Sequence, residues 1–305
     1  MSFCRVLQPG ALTTVQDAGR YGFQRFGVGP SGVMDEQAYI MGNWLVGNRG
    51  GEAVLEATVL GPQLEFGAGG LIALTGADMQ ATLNGRPVRR YAALPVAAGD
   101  VLRMGAVVNG CRAYIAMAGG IDVPVVMNSR STNLKCALGG LDGRKLAVGD
   151  ELSVLPGDYT AAIGRAMAEQ VYPTEFTVRF VPGPQQDMFT EESRQLFEQS
   201  EYIVSPKSDR MGYRLDGPAL AALGSMDIVS DGIALGSIQV STDGQPIVLM
   251  ADRQTTGGYA KIGTVCSFDI PKLAQLKPGG IIHFEEITVE AAQRLLKRKK
   301  WRIWK

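Results

Sequence analysis

The sequence predicts a mainly β protein with a few short helices, and three observations carry that reading. Thirty-nine glycines punctuate short apolar runs, as in strands joined by tight turns. A turn-and-strand unit recurs: AAGD then VLRM at 97–104, AVGD then ELSV at 147–154, and KPGG then IIHF at 277–284. Each is a four-residue turn that launches a strand. Asn84-Gly85 stands between MQATL and RPV, where a type I′ hairpin turn suits both residues. Recurrence at this short scale points to barrel-like hairpins, not to a solenoid.

Helices are few. Met34, Ala38, Met41 and Leu45 fall on one helical face, and Gly47-Asn48 stops the pattern. Thr190 can cap a short helix over 191–199, with Glu191 and Glu192 favourable in its first turn. Thr288 can cap a last helix near 289–299. The segment 156–174, PGDYTAAIGRAMAEQVYPT, separates two strand-like regions and marks a domain boundary. The expected division is a first domain over 1–160 and a second over 170–305, and the length suits about two domains.

Composition removes whole classes of function. Lys plus Arg and Asp plus Glu both number 30, so the net charge is zero; a nucleic-acid binder held by a broad basic face is not expected. No apolar run reaches 18 residues, so no transmembrane helix is expected. The N-terminus has no cationic start and no apolar core of a secretion signal, and a cytoplasmic setting is expected. Four dispersed cysteines form no CxxC pair, so neither zinc nor any other metal is expected. The lone histidine, His283, sits in the strand-like IIHFEE. Proton transfer must then use carboxylates, Tyr, Lys or a bound cofactor. No GxxxxGK[ST] loop and no Met-Lys-Met carrier motif occur.

The densest chemistry lies at 236–261, GSIQVSTDGQPIVLMADRQTTGGYAK. Gln239, Gln245, Asp252, Arg253, Gln254, Thr255, Thr256 and Tyr259 surround an apolar strand, and Gly257-Gly258 lets backbone approach closely. Such donors and acceptors suit a planar amide, lactam or ureido group. The competing reading is a barrel strand followed by a hairpin with a polar tip. Three further clusters are candidates. Arg20, beside Gln16, Asp17, Ser31 and Asp35, can clamp a carboxylate or form an internal ion pair. Ser129, Arg130, Ser131 and Thr132 can build an anion nest for phosphate or carboxylate, or simply bridge two strands. In SDRMGYRL (208–215), Arg210 can hold a carboxylate and Tyr213 can donate to an oxyanion; the alternative is a structural pair of Arg210 with Asp209. Arg210, Tyr213 and Asp252 are the candidate catalytic groups. The tail KRKKWRIWK reads as an exposed helix end or a contact for an acidic partner or membrane surface.

The stretch 236–261 resembles the signature of the biotin-dependent carboxyltransferase, or allophanate hydrolase subunit 2, family. This family includes a subunit of bacterial 5-oxoprolinase, part of urea carboxylase, and a bacterial antagonist of a sporulation-kinase inhibitor. TTVQDAGRYGFQRFGVGPSGVMDEQA (13–38), LTGADM (74–79), YIAMAGGIDVP (114–124), SRST (129–132), GGLDGRKLAVGDEL (139–152), GPQQDMF (183–189) and SDRMGYRL match in order over nearly the whole chain. Asn128 stands where the family usually has Gly, and Ala260 where it usually has Pro.

The resemblance implies two β-barrel units related to the cyclophilin barrel. It implies one subunit of an ATP-dependent complex that opens 5-oxo-L-proline to L-glutamate, inactive alone, with B-type and A-type subunits as partners and ATP used at the level of the complex. Gln239, Gln245, Asp252, Gln254, Thr255, Thr256 and Tyr259 would orient the planar ring, Arg210 or Arg20 would bind its carboxylate, and Asp35 is a further substrate-binding candidate. Two alternatives stay open. One is carboxyl transfer to urea or a related amide, with biotin on a separate carrier. The other is a non-enzymatic regulator that binds a kinase-inhibitor protein. Self-association is also open.

Overall fold

The computed structural model describes residues 3–299. It is mainly β, with four α-helices, and divides into two compact units, 1–21 with 31–172 and 22–30 with 173–305. The short excursion at 22–30 therefore groups with the second unit. The basic tail from Lys300 onward lies outside the described residues.

The first unit contains β1 (Cys4–Gln8), β2 (Leu12–Gln16), α1 (Glu36–Leu45), β3 (Val54–Thr58), β4 (Gln63–Phe66), β5 (Gly70–Asp78), β6 (Thr82–Leu83), β7 (Arg86–Pro87), β8 (Ala93–Val96), β9 (Val101–Arg103), β10 (Asn109–Met117) and β11 (Glu151–Leu152). Where its hairpins are expected to build a barrel, they form two sheets, ordered β11-β1-β4-β9-β6-β7 and β2-β3-β10-β5-β8. Both contribute to one core, with Val6, Leu55, Leu64, Ile72, Leu102 and Ile115 fully buried. Helix α1 starts where Asp35 Oδ1 accepts from Ala38 N at 3.0 Å, and its expected apolar face, Met34, Ala38, Met41 and Leu45, is buried.

The second unit contains β12 (Glu175–Pro182), α2 (Glu191–Gln199), β13 (Tyr202–Val204), β14 (Gly212–Asp216), β15 (Asp227–Gly232), β16 (Ser237–Val240), β17 (Pro246–Leu249), β18 (Thr256–Tyr259), β19 (Lys261–Val265), α3 (Ile270–Ala274), β20 (Ile281–Glu286) and α4 (Val289–Lys299). Seven strands close a barrel in the order β12-β19-β16-β17-β14-β13-β20. The parallel pairing of β12 with β20, from Glu175↔Ile281 to Phe180↔Glu286, makes the closure. Alternation along the strands sends Tyr213, Ile238, Val240 and Val248 inward. Phe180, Phe197, Tyr202 and Phe284 fill the core, with Phe197 of α2 stacked on Phe284 at 4.3 Å between ring centroids. Burying each such ring contributes roughly 1.5–3 kcal/mol. Strands β15 and β18 stand apart as a two-stranded flap.

The recurring turns owe their form to shared chemistry. Gly99, Gly149 and Gly279 take φ of 87°, 88° and 87°, a region that favours glycine. Asp100 and Asp150 close the first two turns by accepting from Ala97 N at 2.8 Å and Ala147 N at 2.7 Å. In the third, Gly280 N donates to Lys277 O at 2.9 Å instead.

Candidate functional site

A cavity of about 370 Å³ lies on the outer face of the second-unit barrel. The two-residue alternation of strands produces its wall. Gly212 and Arg214 of β14, Ile247 and Leu249 of β17 and Gln239 of β16 point outward, opposite to the inward Tyr213, Val248 and Ile238. Arg253, Gln254 and Tyr259 come from the segment that enters and forms β18 of the flap, and Lys207, Asp209 and Met211 complete the lining.

The flap is held down by specific contacts. Lys261 Nζ, almost wholly buried, donates to Asp231 Oδ2 of β15 at 3.1 Å. That ammonium, helped by the Gly232 N–H, holds the Asp231 carboxyl below its ordinary range. Gln239 Nε2 donates to Tyr259 O at 3.4 Å. Gly257 makes this approach: a Cβ there would sit 2.6 Å from both Gln239 Nε2 and Ile233 Cδ1. Arg253 is buried and donates to the carbonyls of Ile233 at 3.4 Å and Met250 at 3.3 Å.

Only part of the expected ring-binding set lines this cavity. Gln239, Gln254 and Tyr259 do. Gln245 instead brackets Gly217, accepting from its N and donating to its O, both at 3.1 Å. Thr255 O accepts from Ile233 N, and Thr256 is an exposed flap residue opposite Gly232. The candidate catalytic groups are also placed otherwise. Arg210 pairs with Asp252, not with Asp209: Nε meets Oδ2 at 2.9 Å and Nη2 meets Oδ1 at 3.2 Å, with both residues buried. Tyr213 faces the barrel interior and donates to Leu276 O at 3.3 Å. These three are not among the cavity-lining residues. Asp209, Arg214 and Arg253, members of the expected clusters though not of the ring-binding set, line it together with Lys207, which lies outside those clusters. The signal for Arg214 is the alternation of β14, where it stands between the inward Tyr213 and Leu215.

The expected anion nest of the first unit already holds an anion, the chain's own Asp17. Its Oδ1 accepts from Ser129 Oγ at 2.6 Å, Ser131 Oγ at 2.5 Å and Gly19 N at 2.9 Å, and its Oδ2 from Arg130 N at 2.5 Å. A phosphate or carboxylate bound at Ser129, Arg130 and Ser131 would first have to displace this carboxylate. Arg130 Nε turns to Val123 O, and Thr132 Oγ1 to Val15 O. Arg20, fully buried, donates through Nη2 to Ser131 O at 2.5 Å and through Nε to Val126 O at 3.4 Å. Asp35 caps α1. Non-glycine residues with positive φ flank this knot: Ser31 at 54°, Met127 at 52° and Asn128 at 62°.

His283 is a strand residue, with Nε2 2.8 Å from Glu175 Oε1 on the neighbouring β12. Among the described residues, no group of three or more His, Cys, Asp and Glu is placed to hold a metal ion. Nor is any helix there long and apolar enough to cross a membrane.

Comparison with known proteins agrees with this architecture. The family model for the carboxyltransferase domain, subdomains A and B, matches residues 26–286. The chain is 38% identical to the C-type subunit of 5-oxoprolinase from Escherichia coli (strain K12) over 306 aligned positions, covering 98% of each chain. It is 34% identical to urea amidolyase of Lachancea kluyveri, covering 95% of this chain and 17% of that protein. The crystal structure of Kluyveromyces lactis urea carboxylase superposes with a TM-score of 0.92 at 32% identity, over 99% of this chain and 29% of that one. The fold, the ordered motifs and these matches place the chain in the carboxyltransferase-domain family, subdomains A and B.

Proposed function

We propose that this chain is the C-type subunit of a cytoplasmic, ATP-dependent 5-oxoprolinase complex that opens 5-oxo-L-proline to L-glutamate. The observation that carries this reading is the end-to-end match with the C-type subunit of a 5-oxoprolinase, 98% of both chains at 38% identity. The barrel cavity would bind the planar amide, with Gln239 backing the flap and Gln254 and Tyr259 offering an amide and a phenol to it. ATP does not fit the one phosphate-like nest expected in the sequence, since Asp17 occupies its donors. No step through ATP is therefore assigned to this chain, and that chemistry falls to the A-type or B-type partner.

The second reading is carboxyl transfer to urea or a related amide, with biotin carried on another chain. The fit to urea carboxylase, TM-score 0.92, favours it, and the amide and phenol groups lining the same cavity suit a ureido ring. Co-expression separates the two readings. With A-type and B-type partners, the chain should support ATP-dependent release of glutamate from 5-oxo-L-proline, and purified alone it should not. Activity that instead requires a biotinylated carrier and consumes bicarbonate would establish the second reading. Turnover of 5-oxo-L-proline by the lone chain would refute the division of labour.

A further inference from the structure

Charge is divided unevenly along the second unit. Between 173 and 293, Asp and Glu number 16 and Lys and Arg nine, whereas residues 294–305 hold seven Lys and Arg and no Asp or Glu. The described part of that basic segment is the second half of α4. Ala291, Ala292 and Leu295 are half-buried and mark the covered side of this helix. The helical repeat puts Val289 and Leu296, 51% and 41% exposed, on the other side with Arg294 and Lys297. Arg294, Lys297 and Arg298 are exposed, and among the described residues none of them enters an ion pair.

The complementary charge stands near the root of the same helix. Helix α2 packs on β20 through Phe197 and Phe284, with ring centroids 4.3 Å apart, and this packing brings Glu198 into the field of Glu286. Burial, together with the Glu198 carboxylate, pushes the Glu286 carboxyl above its ordinary range; Arg194 opposes the rise but is paired with Glu191. Glu198 and Glu286 are exposed, and among the described residues neither enters an ion pair. Helix α4 begins just beyond the end of β20, yet its cations form no ion pair with this patch in their own copy. A cation placed by neighbouring carboxylates relieves their repulsion, and patches of opposite sign steer and align partners. Each copy carries both halves, so a twofold axis near β20 makes the contact twice, helix on patch and patch on helix. We propose that the chain pairs with a second copy through α4, with Arg294, Lys297 and Leu296 of each copy meeting Glu198 and Glu286 of the other. The inference is independent of what the barrel cavity binds.

The test is sedimentation of the full chain at low and high salt. Raising the salt from about 0.05 M to about 0.5 M should increase the dissociation constant of the dimer about tenfold or more, because exposed charges are screened. The triple variant Arg294→Glu, Lys297→Glu, Arg298→Glu should be monomeric, and so should Glu198→Lys with Glu286→Lys. All five positions are exposed, so both variants should keep the wild-type melting temperature. Mixed in equal amounts, the two variants should form a dimer again, since each carries the charge that the other now lacks. A wild-type chain that stays monomeric at low salt and about 0.1 mM overturns the inference. So does a dimer that ignores both salt and the variants, or a mixture that stays monomeric. Flotation of a monomeric wild-type chain with phosphatidylserine vesicles, lost in the triple variant, overturns it in favour of a lipid surface.

Discussion

Arg210 and Asp252 form a two-pronged ion pair inside the second unit, at 2.9 and 3.2 Å, with both residues buried. The pair joins the turn before β14 to the segment after β17, and Asp252 N also donates to Arg210 O at 2.8 Å. Removing one partner strands a buried charge, which costs about 3–5 kcal/mol. Arg210→Met should therefore lower the denaturation midpoint sharply. Arg210→Met with Asp252→Leu should recover part of the loss, because no charge is left stranded. A single variant with wild-type stability and impaired substrate use would return Arg210 to the role of a substrate contact.

The Asp17 knot predicts an effect on stability of similar origin. Four donors converge on one carboxylate, and hydrogen bonds to charged groups contribute about 1.5–3 kcal/mol each. Asp17→Ala should cost more than either Ser129→Ala or Ser131→Ala in urea unfolding, since each serine variant removes only part of the set. Phosphate at millimolar concentration should give the wild-type chain no thermal protection at this site. Protection that disappears in Ser129→Ala would mean that the nest accepts external anions after all.

Acid should weaken the second unit through Asp269. Burial opposes its charged form, but the Arg179 side chain and N–H, with Lys272, outweigh that and hold the carboxyl below its ordinary value. Arg179 Nε and Nη2 each meet it at 2.7 Å. A depressed folded value means that the stabilisation is complete above the unfolded pKa, about 3.9, and is lost as pH falls through the folded one. Calorimetric melting from pH 7 to pH 2.5 should show that decline. Asp269→Asn should melt lower at pH 7 and lose less on acidification; an equally steep acid limb in the variant would assign the decline to other carboxylates.

Gly257 and Gly258 are adjacent yet should respond differently. A Cβ on Gly257 meets Gln239 Nε2 and Ile233 Cδ1 at 2.6 Å, whereas one on Gly258 finds its nearest atom, Ile228 O, at 3.5 Å. Overpacking of the first kind costs about 1–3 kcal/mol. Gly257→Ala should displace the flap from Gln239 and lower activity of the assembled complex roughly ten-fold. Gly258→Ala should stay close to wild type. Equal tolerance of both would show that the flap moves aside without consequence.

Local chemistry made much of this fold readable. Asn84 and Gly85 take φ of 51° and 78°, as the type I′ turn requires, and Thr190 Oγ1 accepts from Ser193 N to start α2 at the expected residue. The site was harder, because its membership depends on which way each strand residue faces after the barrel closes. Tyr213 and Arg214 are neighbours in sequence but lie on opposite faces of β14. Arg210 and Asp252 are 42 positions apart, so no local pattern pairs them. Asp17 and Ser131 are likewise brought together over 114 positions. A loop rich in hydroxyls and arginine looks the same in sequence whether its anion is a ligand or a distant side chain.

The loop from Asp252 to Tyr259 offers the most direct test of the amide site, because its members separate by position. Gln254 and Tyr259 line the cavity, whereas Thr255 is outside the lining and contributes its carbonyl to Ile233 N. Gln254→Ala with Tyr259→Phe removes an amide and a hydroxyl from the wall and leaves the Gly257-Gly258 backbone to form the flap. An unpaired polar group on a bound ligand costs about 1–3 kcal/mol, so activity in the assembled complex should fall roughly ten- to a hundred-fold. Thr255→Val should have little effect, which sets it apart from the rest of its cluster. The melting temperature of the double variant should stay near wild type, since Gln254 is exposed and Tyr259 half-buried. Activity that survives the double change but falls in Thr255→Val would place the reacting amide on the other side of the flap, away from this cavity.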